Sequence, residues 1–192
     1  MSCCRTAGSR RPDAFAGLSA HHSFAVLSRC HGKTLTELLR AAGSSDYNPP
    51  AVDGSRPGVF YLWFTDPAQA SDTTMTTLLL HEGQPGHHYQ MALQQELALP
   101  AFRKYGWSTA FGEGWALYAE TLGRELGLYA DANQHLGHLK LELLRAVRLV
   151  TDTGLHAKGW SRERSMRYMM DTEGATEAQA RNATERYMAV PG

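Results

Sequence analysis

Eight consecutive residues, His81-Glu82-Gly83-Gln84-Pro85-Gly86-His87-His88, gather three imidazoles and one carboxylate just after the apolar run Leu78-Leu79-Leu80. Imidazole nitrogens are standard zinc ligands, and a carboxylate beside a ligand histidine can take a proton from a metal-bound water. This is the chemistry of hydrolysis. In the common pattern the two histidines lie four apart, so that a regular helix presents both on one face. Here the step from His81 is six to His87 or seven to His88. On a regular helix a six-residue step leaves His87 roughly 120° off the face of His81. A seven-residue step returns His88 to within about 20° of that face, but roughly 10 Å further along the axis. Two ligands, each about 2 Å from one zinc, cannot span such a gap. A shared metal therefore requires the helix to break and draw in between the histidines. Pro85 lacks a backbone donor and biases Gln84 away from helical angles, and Gly86 accepts angles that other residues resist. The competing reading is a histidine-rich turn without a metal.

A second segment, Phe111-Gly112-Glu113-Gly114-Trp115-Ala116-Leu117-Tyr118-Ala119-Glu120, sits in a helical context. Ser108 or Thr109 is placed to cap its start, and Trp115, Leu122 and Leu126 supply a partly apolar face. Glu113 and Glu120 are seven apart and share a face. Glutamate is a usual third ligand beside two histidines, which suits Glu113, and Glu120 is placed to accept from a ligand imidazole. The alternative is a solvated acidic face.

Taken with Asp53-Gly54-Ser55-Arg56-Pro57-Gly58, these stretches make the chain resemble the bacterial domain-of-unknown-function 885 family. Arg148-Leu149-Val150-Thr151-Asp152-Thr153-Gly154-Leu155-His156, Gly159-Trp160-Ser161-Arg162-Glu163 and Glu185-Arg186-Tyr187 extend the resemblance, which runs from about Tyr47 to the C-terminus. That family is grouped with zincin-type metallopeptidases of the thimet oligopeptidase and carboxypeptidase Taq kind. The resemblance implies a mainly α fold, a zincin-like helical metallopeptidase core with a short β element. It implies a zinc-dependent peptide hydrolase, with His81, His87 and Glu113 as ligands, because Gly86-His87 is similar to the Gly-His pair at the second ligand of related enzymes. His88 is the runner-up. Glu82 is then the base, and His156 a donor to the oxyanion, supported by Arg148 or Asp152. Without the family, Arg148, Asp152 and His156, four apart, read as an ion-pair ladder on a solvated helix.

Members of that family are longer at both ends, with a helical N-terminal portion and a tyrosine-containing segment beyond the position of Gly192. The expectation is a C-terminal fragment: residues 1–46 weakly ordered and atypical, residues 47–192 a partial metallopeptidase domain. The competing function is a catalytically incomplete metal-binding fragment. A di-iron oxidase is disfavoured because paired Glu-x-x-His motifs are absent.

The remaining composition adds little. Lys+Arg and Asp+Glu are equal at 19 each, so no nucleic-acid or polyacidic partner is implied. No apolar run approaches the roughly 20 residues of a membrane span. The N-terminus lacks a secretory signal, so a cytoplasmic location is expected, with a peptide as the partner. Cys3, Cys4 and Cys30 read as free thiols, and His21 and His22 as incidental.

The elements that must position the site follow from pattern. A short helix is expected from Leu35 to Ala42, a linker at Asn48-Pro49-Pro50 and a strand from Gly58 to Phe64, whose edge is a candidate for pairing with an extended peptide. The two halves of the metal helix are expected at Asp72 to about Gly83 and Gly86 to Leu97. Asp131 caps a long helix with Leu136, Leu139, Leu143, Val147 and Val150 as its apolar stripe; His135 and His138 on it read as surface residues. Ser161 and Thr176 cap two more, the latter with Gln179 in a capping box.

Overall fold

The structure, a computed structural model, describes residues 24–29, 46–63 and 72–192. The three cysteines, His21, His22 and the helix expected from Leu35 to Ala42 lie outside the described residues. The described residues are mainly helical, with one small sheet. The chain divides into two compact units, residues 1–135 and 136–192.

In the first unit, β1 (Phe24–Arg29), β2 (Asp46–Asn48) and β3 (Gly58–Trp63) form a three-stranded sheet in the order β1-β3-β2. β3 runs parallel to β1 and antiparallel to β2, so that Phe60 lies opposite both Val26 and Tyr47. Successive strand residues face opposite sides, and Val59 and Phe60 are both buried, so β3 is covered on both faces. The expected strand is present, but its proposed use is not available. With both edges of β3 already paired, it cannot take an extended peptide by edge addition. Asn48, read as linker, belongs to β2, and β1 forms inside the stretch expected to be weakly ordered.

The helices that follow are α1 (Asp72–Glu82), α2 (His87–Glu96), α3 (Ala101–Tyr105) and α4 (Thr109–Glu125). The break between α1 and α2 falls where Pro85-Gly86 demands it. Gly83 N–H still donates to the Leu79 carbonyl as a last helical turn, and Gln90 N–H donates to the Gly86 carbonyl as the first bond of α2. Between them the chain folds back on the end of α1. A β-carbon added at Gly86 would lie 1.9 Å from the His81 carbonyl oxygen and 2.3 Å from that of Leu80. Only a residue without a side chain fits there. Trp115 of α4 fastens the turn, its indole N–H donating to the Pro85 carbonyl at 2.8 Å. Ser108 stands at the N-cap of α4 as expected, but its side chain makes no capping bond.

α5 (Ala132–Lys158) continues from the first unit through the second, which adds α6 (Arg162–Glu173) and α7 (Glu177–Ala189). The caps are as the sequence implies: Asp131 accepts from Asn133 N–H, Ser161 from Arg164 N–H, and Thr176 with Gln179 forms a reciprocal capping box. The core of this unit is Val147, Met166, Met169, Ala180 and Tyr187. The apolar stripe of α5 is not where its leucines predict. Leu136, Leu139, Leu143 and Val150 are 40–48% exposed, and the buried line runs through Val147, Thr151 and Gly154 instead. The reason is close packing: Gly154 admits the Trp160 ring, and Thr151 satisfies its hydroxyl on the Val147 carbonyl. His138 is buried rather than on the surface.

Gly86→Ala tests the close approach. The added methyl meets backbone rather than a movable side chain, so the variant is expected to lose about 1–3 kcal/mol in denaturant unfolding, the range for overpacked sites. An unchanged midpoint would show that the turn relaxes freely.

Candidate metal centre

The fold-back at Gly86 brings His87 beside His81, their rings 4.7 Å apart and nearly perpendicular. Glu113, on the facing helix α4, completes the group. Its carboxylate oxygens lie 3.4 Å from His81 Nε2 and 3.6 Å from His87 Nε2. One ligand atom from each of the three can be chosen so that all lie within 4.8 Å of one another. Two ligand atoms bound at about 2 Å to a tetrahedral zinc sit about 3.3 Å apart. The separations to Glu113 therefore fit a shared ion. His81 and His87 are buried and Glu113 is half-exposed, which leaves one open side. Hydrogen bonds from His81 and then His87 hold the Glu113 carboxyl well below the usual carboxylate range, outweighing its partial burial.

Behind this group stands Glu120, two turns further along α4 and fully buried. Its Oε1 lies 2.7 Å from His81 Nδ1. A carboxylate accepts, so Nδ1 carries the proton toward Glu120, and Nε2 is the atom directed at Glu113. The Glu120 segment is itself fixed, because the Tyr129 hydroxyl donates to the Glu120 carbonyl at 2.9 Å and lies 3.2 Å from Thr77 of α1. Burying a carboxylate is costly unless it is hydrogen-bonded. This position therefore has a strict partner in His81.

His88 points elsewhere. It is fully buried, and its Nδ1 lies 2.8 Å from the Tyr47 hydroxyl. Gly58 of β3 makes the space, since a β-carbon there would sit 2.6 Å from both groups. The Asp53-Gly54-Ser55-Arg56-Pro57-Gly58 motif shapes the connection from β2 to β3. Asp53 accepts from Ser55, and the Arg56 guanidinium donates to the Pro49 and Pro57 carbonyls. That connection delivers Tyr47, whose ring also stacks on His87 with centroids 6.5 Å apart. Burial pushes the Tyr47 hydroxyl above its usual range, with Arg56 opposing this and the Glu82 carboxylate adding to it. Glu82 is itself buried, and its charge reaches Tyr47.

His156 belongs to the second unit. Its Nε2 is 2.8 Å from the Tyr187 carbonyl, which accepts. Arg148 Nε donates to the Tyr187 hydroxyl, and Asp152 accepts from Gly192 N–H. These three residues grip α7 and the segment after it.

Sequence reasoning missed the Tyr47–His88 pair and Trp107, whose ring lies 5.8 Å from that of His87. Gly112 carries the signal for the latter, because a β-carbon on it would collide with the Trp107 ring at 2.0 Å.

The family model described as "Bacterial protein of unknown function (DUF885)" matches residues 16–192, and the chain belongs to that family. The match starts well before Tyr47, so it includes much of the segment read as atypical. The chain is similar to the crystal structure of "the putative lipoprotein from Colwellia psychrerythraea", at 42% identity and a TM-score of 0.80 over 89% of this chain and 29% of that one. At the level of the fold it is also similar to "a putative lipoprotein of unknown function from Shewanella oneidensis", at 21% identity and a TM-score of 0.60 over 76% of this chain and 29% of that one. The chain thus spans less than a third of the length of either. No curated protein matches it.

Glu120 gives the sharpest test of how the group is held. Glu120→Gln keeps an acceptor oxygen but removes charge, and Glu120→Ala removes both. Zinc affinity, measured by chelator competition, is expected to fall about ten-fold in the first and about a hundred-fold in the second. Equal affinity in all three proteins would make the His81–Glu120 contact irrelevant to metal.

Proposed function

We propose that the chain carries the site of a zinc-dependent peptide hydrolase. The observation that supports this most is the convergence of His81, His87 and Glu113 from two helices, with Glu120 on the far nitrogen of His81. Two imidazoles in the set favour zinc over magnesium or calcium, which prefer oxygen ligands alone. Three protein ligands with an open side are the usual form of a catalytic rather than a structural zinc. A zinc ion held there would supply Lewis acidity and lower the pKa of a coordinated water to about 7.

The chain's own residues then have distinct tasks. Glu82, next to His81 and outside the ligand set, accepts the proton of the attacking water and returns it to the leaving amine. Tyr47, kept protonated, packs on His87 and limits its rotation. His156, proposed from the resemblance as the oxyanion donor, already donates through Nε2–H to the Tyr187 carbonyl within the second unit. The description of the Colwellia relative as a "putative lipoprotein" favours a non-cytoplasmic setting over the expected cytoplasmic one.

Metal analysis of purified variants separates ligands from catalytic groups. His81→Ala, His87→Ala and Glu113→Ala are expected to lose most of about one zinc per chain, whereas His88→Ala keeps it. Glu82→Gln should keep its zinc while hydrolysis of a mixed peptide library falls by at least about 100-fold. Zinc lost from Glu82→Gln would make that residue a ligand. Full zinc without turnover in the parent chain would favour the metal-binding, non-catalytic alternative.

A further inference from the structure

Beside His87 stand two aromatic rings of different character. Tyr47 is stacked at 6.5 Å and largely enclosed, whereas Trp107 presents its ring at 5.8 Å in an edge arrangement and is 51% exposed. Trp107 lies in the short connection between α3 and α4, where an unanchored indole would be free to swing into solvent. Gly112 makes room for it against α4. The indole lies over the bare α-carbon of Gly112, one residue before Glu113, so closely that any side chain there would displace it. The ring is therefore seated on the first turn of the helix that supplies one candidate ligand, and against the imidazole that supplies another.

We infer that Trp107 is a specificity-determining wall of the site, selecting peptides with an apolar, preferably aromatic, side chain next to the bond that is cut. The inference rests on the zinc peptidase reading above and deepens it. A half-exposed indole held beside the candidate ligand His87 offers an apolar surface that a substrate side chain would cover. Aromatic partners gain from such a surface beyond the area they bury. The preference is therefore for aromatic side chains.

The test uses the full zinc-loaded chain and two probes that bind through a hydroxamate, N-acetyl-phenylalanine hydroxamate and N-acetyl-alanine hydroxamate, with affinities from calorimetry. The parent chain is expected to bind the phenylalanine probe roughly ten-fold more tightly than the alanine probe. Trp107→Ala should bring the two to near equality, chiefly by weakening the phenylalanine probe, in protein that still holds zinc. Trp107→Phe should retain most of the preference, which a merely structural role would not explain. An undiminished preference in Trp107→Ala, or none in the parent chain, overturns the inference while the zinc reading stands. Failure of the parent chain to hold zinc at all would defeat the zinc reading, and this inference with it.

Discussion

The candidate centre depends on one close contact, the backbone of Gly86 lying against the carbonyl oxygens at the end of α1. Without it, His87 would stand on another face of a continuing helix, and no arrangement of side chains would return it to His81. The rest of the first unit reinforces this contact. Trp115 holds the Pro85 carbonyl from α4, Tyr47 and Gly58 enclose His88 from the sheet, and Tyr129 joins α1 to the Glu120 segment. Each of these joins a residue of the turn or of the two helices to a segment remote in sequence.

A division of labour between the two adjacent histidines follows from the same turn. At the start of a helix, neighbouring residues diverge by about 100°. His87 faces Glu113, and His88 is turned into the unit, toward Tyr47. The buried imidazole therefore serves the junction of sheet and helix, while the other is presented to the candidate centre. The Asp53–Gly58 motif belongs to this arrangement, because by shaping the β2–β3 connection it places the Tyr47 hydroxyl.

Much of this was legible in the residues. The break at Pro85-Gly86 was readable from the residues there and from what a shared metal would require, and the shared face of Glu113 and Glu120 from helical phase. The caps at Asp131, Ser161 and Thr176 were readable because capping is local chemistry. What escaped were long-range pairings. β1 and β2 are defined by their partner β3 more than by their own composition, so Asn48 read as linker and Phe24–Arg29 as part of a weakly ordered segment. The stripe on α5 misled for a related reason. Periodicity marks a face that suits burial, but packing at Gly154 and Val147 decides which face is covered. Arg148, Asp152 and His156 share a face as expected, yet their contacts to Tyr187 and Gly192 could not be inferred from spacing.

The loop between His81 and His87 is short, whereas Glu113 comes from a separate helix. In the unfolded chain, loop-closure entropy favours contact between the two imidazoles far more than it favours bringing in the carboxylate. A metal would therefore find a weak two-imidazole chelate even in denatured protein. Affinity for the unfolded state subtracts from whatever stabilisation the native site confers. A metal held by this centre would thus raise the unfolding free energy by less than its native dissociation constant implies, and the shortfall would reflect how close together the turn keeps its histidines.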